Sequence, residues 1–211
     1  MQITDNMRKD ILKAVCDLES STSGEMVCMV AQSSARYILY PLLWAAFAAL
    51  VLPVANPVLA ILGRPPAVTF EIQSVAFVML SLVLLYTPLR ACVTPRSVLE
   101  MNCSRRAFEQ FFIRRLHETS RHTGVLLFVS VEERYAELIA DDGINDKVAE
   151  SEWRDIIAAF TTDLRKGRVH EGFLSAIAAC QALMARHFPD RCEKNELPDH
   201  LVELPKSRII S

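Results

Sequence analysis

No charged residue falls between Tyr37 and Gly63 of this 211-residue chain. After Arg64-Pro65-Pro66 a second apolar run extends from Ala67 to Leu89. Each run reaches the roughly 20 apolar residues that cross a hydrocarbon layer at about 1.5 Å of rise per residue. The pair reads as a membrane hairpin, and it raises the mean hydropathy to +0.21. Other absences narrow the chemistry. There is no C-x-x-C pair, no P-loop, no G-x-G-x-x-G and no D-x-D-x-T/V run, so neither a zinc ribbon, a nucleotide cradle nor an aspartyl-phosphate mechanism is encoded. Met1 to Asp10 lacks a charged region followed by an apolar one, and the N-terminus is expected to be retained rather than cleaved as a signal peptide. A net charge of −2 carries no nucleic-acid signature. Neither an internal repeat nor a low-complexity segment is present.

Six cysteines (Cys16, Cys28, Cys92, Cys103, Cys180, Cys192) are scattered without metal-site spacing and are expected to be free, buried thiols of a reducing compartment. Basic residues sit outside the hairpin on both sides: Arg8, Lys9, Lys13 and Arg36 before it, Arg90, Arg96, Arg105 and Arg106 after it, against Arg64 alone in the turn. The positive-inside rule then puts both termini in the cytoplasm. Glu71 and Gln73 are expected at the outer interface, and Tyr40, Trp44 and Tyr86 near the inner one.

Outside the hairpin the periodicities are those of an α/β sheet domain flanked by helices. Ile3, Met7, Ile11, Val15 and Leu18 predict an amphipathic helix capped by Thr4 or Asp5, and EMVCMVA from Glu25 predicts a buried strand. Ser97 to Arg121 reads as one long helix with Phe108, Phe111, Phe112 and Leu116 on a single stripe. Its basic residues, Arg96, Arg105, Arg106, Arg114 and Arg115, are candidates for meeting anionic headgroups at a membrane surface. Val125 to Val131 and Tyr135 to Ala140 predict a strand hairpin, Asp141-Asp142-Gly143 a loop, and two helices follow, one opened by Ser151 and Glu152, the other running from about Val169 to His187. The resulting division is 1–36 and 96–190 for one sheet domain, 37–95 for the hairpin inserted after its first strand, and 191–211 for a tail.

The run HTGVLLFVSVEERYAELIADDGI (His122 to Ile144), followed by VAESEWRDII and the GRVHEGFLSAI helix, resembles the TPM domain, named for a thylakoid lumen protein, a photosystem II repair protein and a modulator of acetylcholine receptors. TSGEMVCMVA resembles that family's first strand, and the membrane insertion and the NELPDHLVEL ending are similar to bacterial members, which implies a bacterial inner membrane. The family's Asp-Asn-Gly run is here His122-Thr123-Gly124, and its glycine loop is Ala140-Asp141-Asp142-Gly143. Gly124 and Arg134 stand in register with the pattern, and Glu150 takes the place of the acid at the helix start. The resemblance implies calcium or another divalent cation, held by Asp141, Asp142 and Glu150 with Glu25 as a further candidate, all hard oxygen ligands of the right kind. It also carries a phosphatase label, so a divalent-metal phosphohydrolase is the alternative to a binding or regulatory module acting on a membrane-protein partner.

Two further patterns are weighed as coincidence. Cys180 and Arg186 satisfy the C-x5-R spacing of cysteine phosphatases but fall inside a predicted helix, where the N–H groups are already spent. His117, His122, His170, His187 and His200 have no carboxylate partners apparent in the sequence, although Asn195, Glu196, Asp199 and His200 cluster in the tail, for which Leu197, Pro198 and Leu201 are the expected anchors across the sheet.

Overall fold

The computed structural model describes residues 4–35, 37–61, 70–87, 89–119, 121–189 and 201–204. Its elements in chain order are α1 (Asp5–Ser21), β1 (Glu25–Ala31), α2 (Leu39–Val51), α3 (Ala55–Ile61), α4 (Phe70–Tyr86), α5 (Leu89–Cys92), α6 (Arg96–Ile113), β2 (Gly124–Ser130), β3 (Tyr135–Ala140), α7 (Asp142–Asn145), α8 (Glu150–Arg165), α9 (Val169–His187) and β4 (Leu201–Leu204). They divide into a sheet unit, Met1–Ser34 with Met101–Ser211, and a helical unit, Ala35–Glu100.

The sheet runs β3-β2-β1-β4. β1 is parallel to both neighbours, with Glu25 opposite Gly124 and Ala31 opposite Ser130, while β2 and β3 form an antiparallel hairpin. Every residue of β1 and β2 is buried, as expected of parallel strands covered on both faces. Alternation then sorts the strand. Met26, Cys28 and Val30 join Ile11, Val15 and Leu18 of α1 and Phe173 and Ile177 of α9, whereas Val27, Met29 and Ala31 join Cys103, Ala107 and Phe111 of α6. The unit is therefore three layers deep. Phe160 and Phe173 meet edge to face at 5.0 Å where α8 packs on α9, and each such buried ring contributes about 1.5–3 kcal/mol.

Capping fixes the helix starts. Thr4 Oγ1 accepts the Met7 N–H ahead of α1, and the Glu152 carboxylate accepts the Ala149 N–H at 3.3 Å ahead of α8, so α8 begins one residue before Ser151. Gly167, at φ +77°, ends α8 in the left-handed region that a Cβ disfavours.

Four expectations need correction. The helix expected over Ser97 to Arg121 stops at Ile113 because Arg115 turns left-handed (φ 55°) into a 3-10 turn, Leu116–Glu118. The stripe Phe108, Phe111, Phe112 and Leu116 is split, since the buried spacing of α6 is Leu99, Cys103, Ala107 and Phe111, leaving Phe108 and Phe112 exposed. The segment at Leu201–Leu204 is a fourth strand on β1, not merely tail; Leu197, Pro198 and the polar cluster of Asn195, Glu196, Asp199 and His200 lie outside the described residues. Cys28, Cys103 and Cys180 are buried free thiols as expected, but Cys16 and Cys92 are exposed, and Cys192 lies outside the described residues.

In the helical unit, Leu39–Pro57 is one helix long and apolar enough to cross a membrane, with 19 residues and a mean hydropathy of 1.7. Pro53 lies in a 3-10 turn, Leu52–Val54, that joins α2 to α3, which is where the missing proline N–H is least costly. α4 is apolar but shorter, at 17 residues. Ala45 and Ala49 of α2 and Ser81 and Leu84 of α4 are buried, so the small residues mark the side on which these helices pack. The remaining large side chains are exposed: Leu50 is 70% and Phe47 60% accessible. Trp44 donates from Nε1 to the Val93 carbonyl at 3.1 Å, and Tyr86 is exposed. The turn Arg64-Pro65-Pro66 and Arg36 lie outside the described residues.

Candidate functional site

At the end of the sheet where β1 and β2 begin, a loop cluster gathers around Asp141. The Asp141 N–H donates to the Gly124 carbonyl at 2.9 Å, which continues the ladder one residue beyond β3. Its side chain then turns the chain, Oδ1 accepting the Asp142 N–H at 2.9 Å to cap α7, so the expected Asp141-Asp142-Gly143 loop is the start of a short helix. Asp141 Oδ2 lies 3.1 Å from His122 Nδ1. His122, at φ 52°, and Thr123 are held by neighbours: Thr123 N–H donates to Thr119 Oγ1, and Thr123 Oγ1 donates to the Ser23 carbonyl at 2.7 Å. Gly143 is required by the close approach, because a Cβ there would stand 2.6 Å from the carbonyl oxygens of both Arg121 and His122.

This arrangement is an exposed imidazole backed by a buried carboxylate, the side chains being 64% and 8% accessible. With Nδ1 engaged, Nε2 is the nitrogen through which His122 could exchange a proton. A cavity of 330 Å³ beside it is lined by Arg121, Lys147 and His187 as well as Asp146. Neither His122–Asp141 nor this basic lining was apparent in the sequence, since nothing in spacing brings position 122 to position 141 until the β2–β3 register is known.

The four acids expected as metal ligands do not converge. Asp142 is exposed. Glu150 is 88% accessible and pairs with Arg154 at 3.0 Å. Both oxygens of Asp141 are engaged as above, and Glu25 is buried at the start of β1 beside Glu19. Burial, with a smaller contribution from Glu25, holds the Glu19 carboxyl protonated up to about 8, while the Met26 N–H it accepts at 3.1 Å pulls the other way. Among the described residues no three His, Cys, Asp or Glu side chains stand together as a ligand set. The described residues therefore do not fit the divalent cation that the resemblance implies. Cys180 is buried inside α9 with its thiol pushed up to about 12 by burial, which removes the C-x5-R pattern from consideration as a nucleophile.

A second polar cluster occupies the opposite end, where β1 and β2 finish. Glu133, in the β2–β3 turn and 2% accessible, accepts from Ser33 Oγ at 3.0 Å and from the Ser34 N–H at 2.9 Å through Oε1. Its Oε2 accepts from Ser130 Oγ at 2.5 Å, and Ser34 Oγ donates to Ser130 Oγ at 2.8 Å. Parallel pairing puts the two strand ends side by side, which is what brings Ser33 and Ser34 to Glu133.

Residues 91–183 match the family model described as TPM domain. Over that segment, which is less than half of its length, the chain is similar to the TPM domain. β1 and β4 lie outside the matched segment yet pair within the same sheet, so the sheet is completed by residues on both sides of the match. The NMR structure of the BA42 protein from the psychrophilic bacterium Bizionia argentinensis superposes with a TM-score of 0.60 at 19% identity, over 96% of each chain. At that identity the likeness is one of fold. No curated relative matches the sequence.

The basic candidates on and after α6 are distributed rather than clustered. Arg96 pairs with Glu100, Arg105 and Arg106 with Glu109, and Arg115 with Glu118, all at accessible positions. Such pairs are worth about 0–1 kcal/mol each.

Proposed function

We propose that this is a membrane-anchored TPM-domain protein whose sheet unit serves as a binding or regulatory module for a membrane partner. The observation that carries the reading is the apolar surface of the helical unit. Leu39, Leu43, Phe47, Leu50 and Val54 on the longer helix and Phe70, Val75, Val78 and Met79 on α4 are all exposed, a patch far beyond what a soluble monomer presents to water. Lipid would cover it, with α4 as the second limb of a hairpin. The basic residues before the first run and after the second favour cytoplasmic ends, and Arg96, Arg105, Arg106, Arg114 and Arg115 would then face anionic headgroups.

The phosphohydrolase alternative draws no support from the geometry, since the carboxylates it needs are separated or already engaged. Alkaline carbonate extraction of membranes tests the anchor: retention in the pellet is expected, and release to the supernatant would overturn it. A reporter fused after Ser211 tests sidedness, with a periplasmic signal as the refuting result.

A further inference from the structure

A cleft of 510 Å³ opens at the end of the sheet unit where β1 and β2 finish. Its walls are apolar, formed by Val129 and Val131 on one side and Leu164 and Val169 on the other. Arg134 and Arg165 also line it, and none of the lining residues is acidic. The α8–α9 turn beside it reads Arg165-Lys166-Gly167-Arg168, exposed throughout; among the described residues only Arg168 of these is ion-paired, to Asp163.

Two backbone features shape the opening. Arg134 is held left-handed at φ 52°, and Gly167 at φ 77° faces open space. A non-glycine residue kept in that region by its surroundings is the kind of outlier that accompanies binding sites. The cleft is also tied to the place where the chain leaves the unit. Ser130, which lines it, accepts from Ser34 Oγ at 2.8 Å, and the apolar helical unit begins at Ala35.

The geometry points to a binding site for one anionic phospholipid, its phosphate between Arg134 and Arg165 and its proximal acyl chain along Val129, Val131, Leu164 and Val169. A free phosphate would make no use of the apolar walls, and a zwitterionic lipid would bring its own ammonium group beside Arg134, Arg165 and Lys166, cancelling the attraction its phosphate gains. The site rests on the anchoring reading, which brings a leaflet to residue 35, one position from Ser34.

Native mass spectrometry of the full chain in detergent tests it, with monomeric dihexanoyl phosphatidylglycerol, dihexanoyl phosphatidylcholine and inorganic phosphate as probes. One saturable phosphatidylglycerol adduct is expected, bound at least tenfold more tightly than phosphatidylcholine. Arg134→Gln/Arg165→Gln should abolish that preference. Leu164→Gln should weaken the adduct without changing charge, and Lys13→Gln should leave it intact. An unchanged melting temperature in each variant separates lost binding from lost fold. Equal affinity for the two lipids, or inorganic phosphate binding as well as phosphatidylglycerol, overturns the site. If the protein is extracted by carbonate yet keeps the preference, the anchor falls and the site stands; if it stays membrane-bound without the preference, the site falls alone.

Discussion

Replacing Glu133 by alanine is expected to loosen the adjoining ends of β1 and β2 by about two orders of magnitude in amide exchange. The carboxylate holds three donors, two hydroxyls and the Ser34 N–H, all at buried positions. Serine hydroxyls can rotate and re-pair, at a loss of about 0.5–1 kcal/mol each, but the backbone N–H cannot turn away, and stranding it costs about 1–3 kcal/mol. The sum, about 3 kcal/mol, corresponds to roughly 100-fold at 1.4 kcal/mol per decade. Hydrogen exchange read by mass spectrometry on peptides covering 29–35 and 128–134 measures it, with peptides from α9 as the internal reference. Glu133→Gln should fall in between, because its oxygen still serves Ser33 and Ser34 while its amide confronts Ser130. Ser33→Ala, which removes one donor and strands nothing, should cost about tenfold less than the alanine variant at Glu133. A change below threefold in those peptides for Glu133→Ala, with α9 protection intact, would refute the claim that this carboxylate ties the strand ends together.

Glu19 makes stability depend on pH. Its folded pKa, raised to about 8 from 4.5 mainly by burial, means that stability is fullest below about 4.5, declines between there and about 8, and levels off above. Glu19→Gln keeps the acceptor for Met26 and should remove that decline; discounted for solvent screening, the gain at pH 8.5 is about 1–2 kcal/mol, and thermal melts at pH 5 and 8.5 that keep the wild-type slope would contradict it. Gly143→Ala should destabilise by about 1–3 kcal/mol through overpacking against two carbonyl oxygens, more than Gly167→Ala, where only the left-handed backbone is penalised, by about 1 kcal/mol; calorimetry ranking them the other way would show that the α7 turn yields easily. Alkylation at neutral pH should reach Cys16 and spare Cys180, whose thiol is buried and held at about 12, until denaturant is added; native modification of Cys180 would show that α9 opens.

Local pattern carried far here. The α1 and α9 segments follow their 3.6-residue periodicity because each buries an apolar face against the sheet, while β1 and β2, buried throughout, are legible as short continuous apolar runs bounded by turn residues. The end of α6 was not legible, since Arg114-Arg115-Leu116 continues a helical pattern and only the left-handed turn at Arg115 breaks it. β4 was illegible for a different reason: four residues, Leu201–Leu204, make a strand only because the edge of β1 is there to pair with. The site suffered most. His122–Asp141 and Ser33–Ser34–Ser130–Glu133 are contacts across strand ends, 19 and about 100 positions apart, and register rather than spacing creates them. Of the acids that the family pattern pointed to, Asp142 opens α7, Glu150 opens α8 and Glu25 opens β1, and their partners are set by capping and ion pairing.

The parallel pairing of β1 with β2 has a consequence for biosynthesis. Glu25 meets Gly124 only after the ribosome has made the whole helical unit, and β1 keeps an uncovered edge until residue 204 has emerged. In free solution, closing so long a loop is an entropic obstacle, and the waiting strand is a template for wrong partners. On the proposed anchoring, early insertion of the apolar helices would shorten that search by fixing both ends of the intervening segment, making the translocation machinery, in effect, an assembly jig for the sheet.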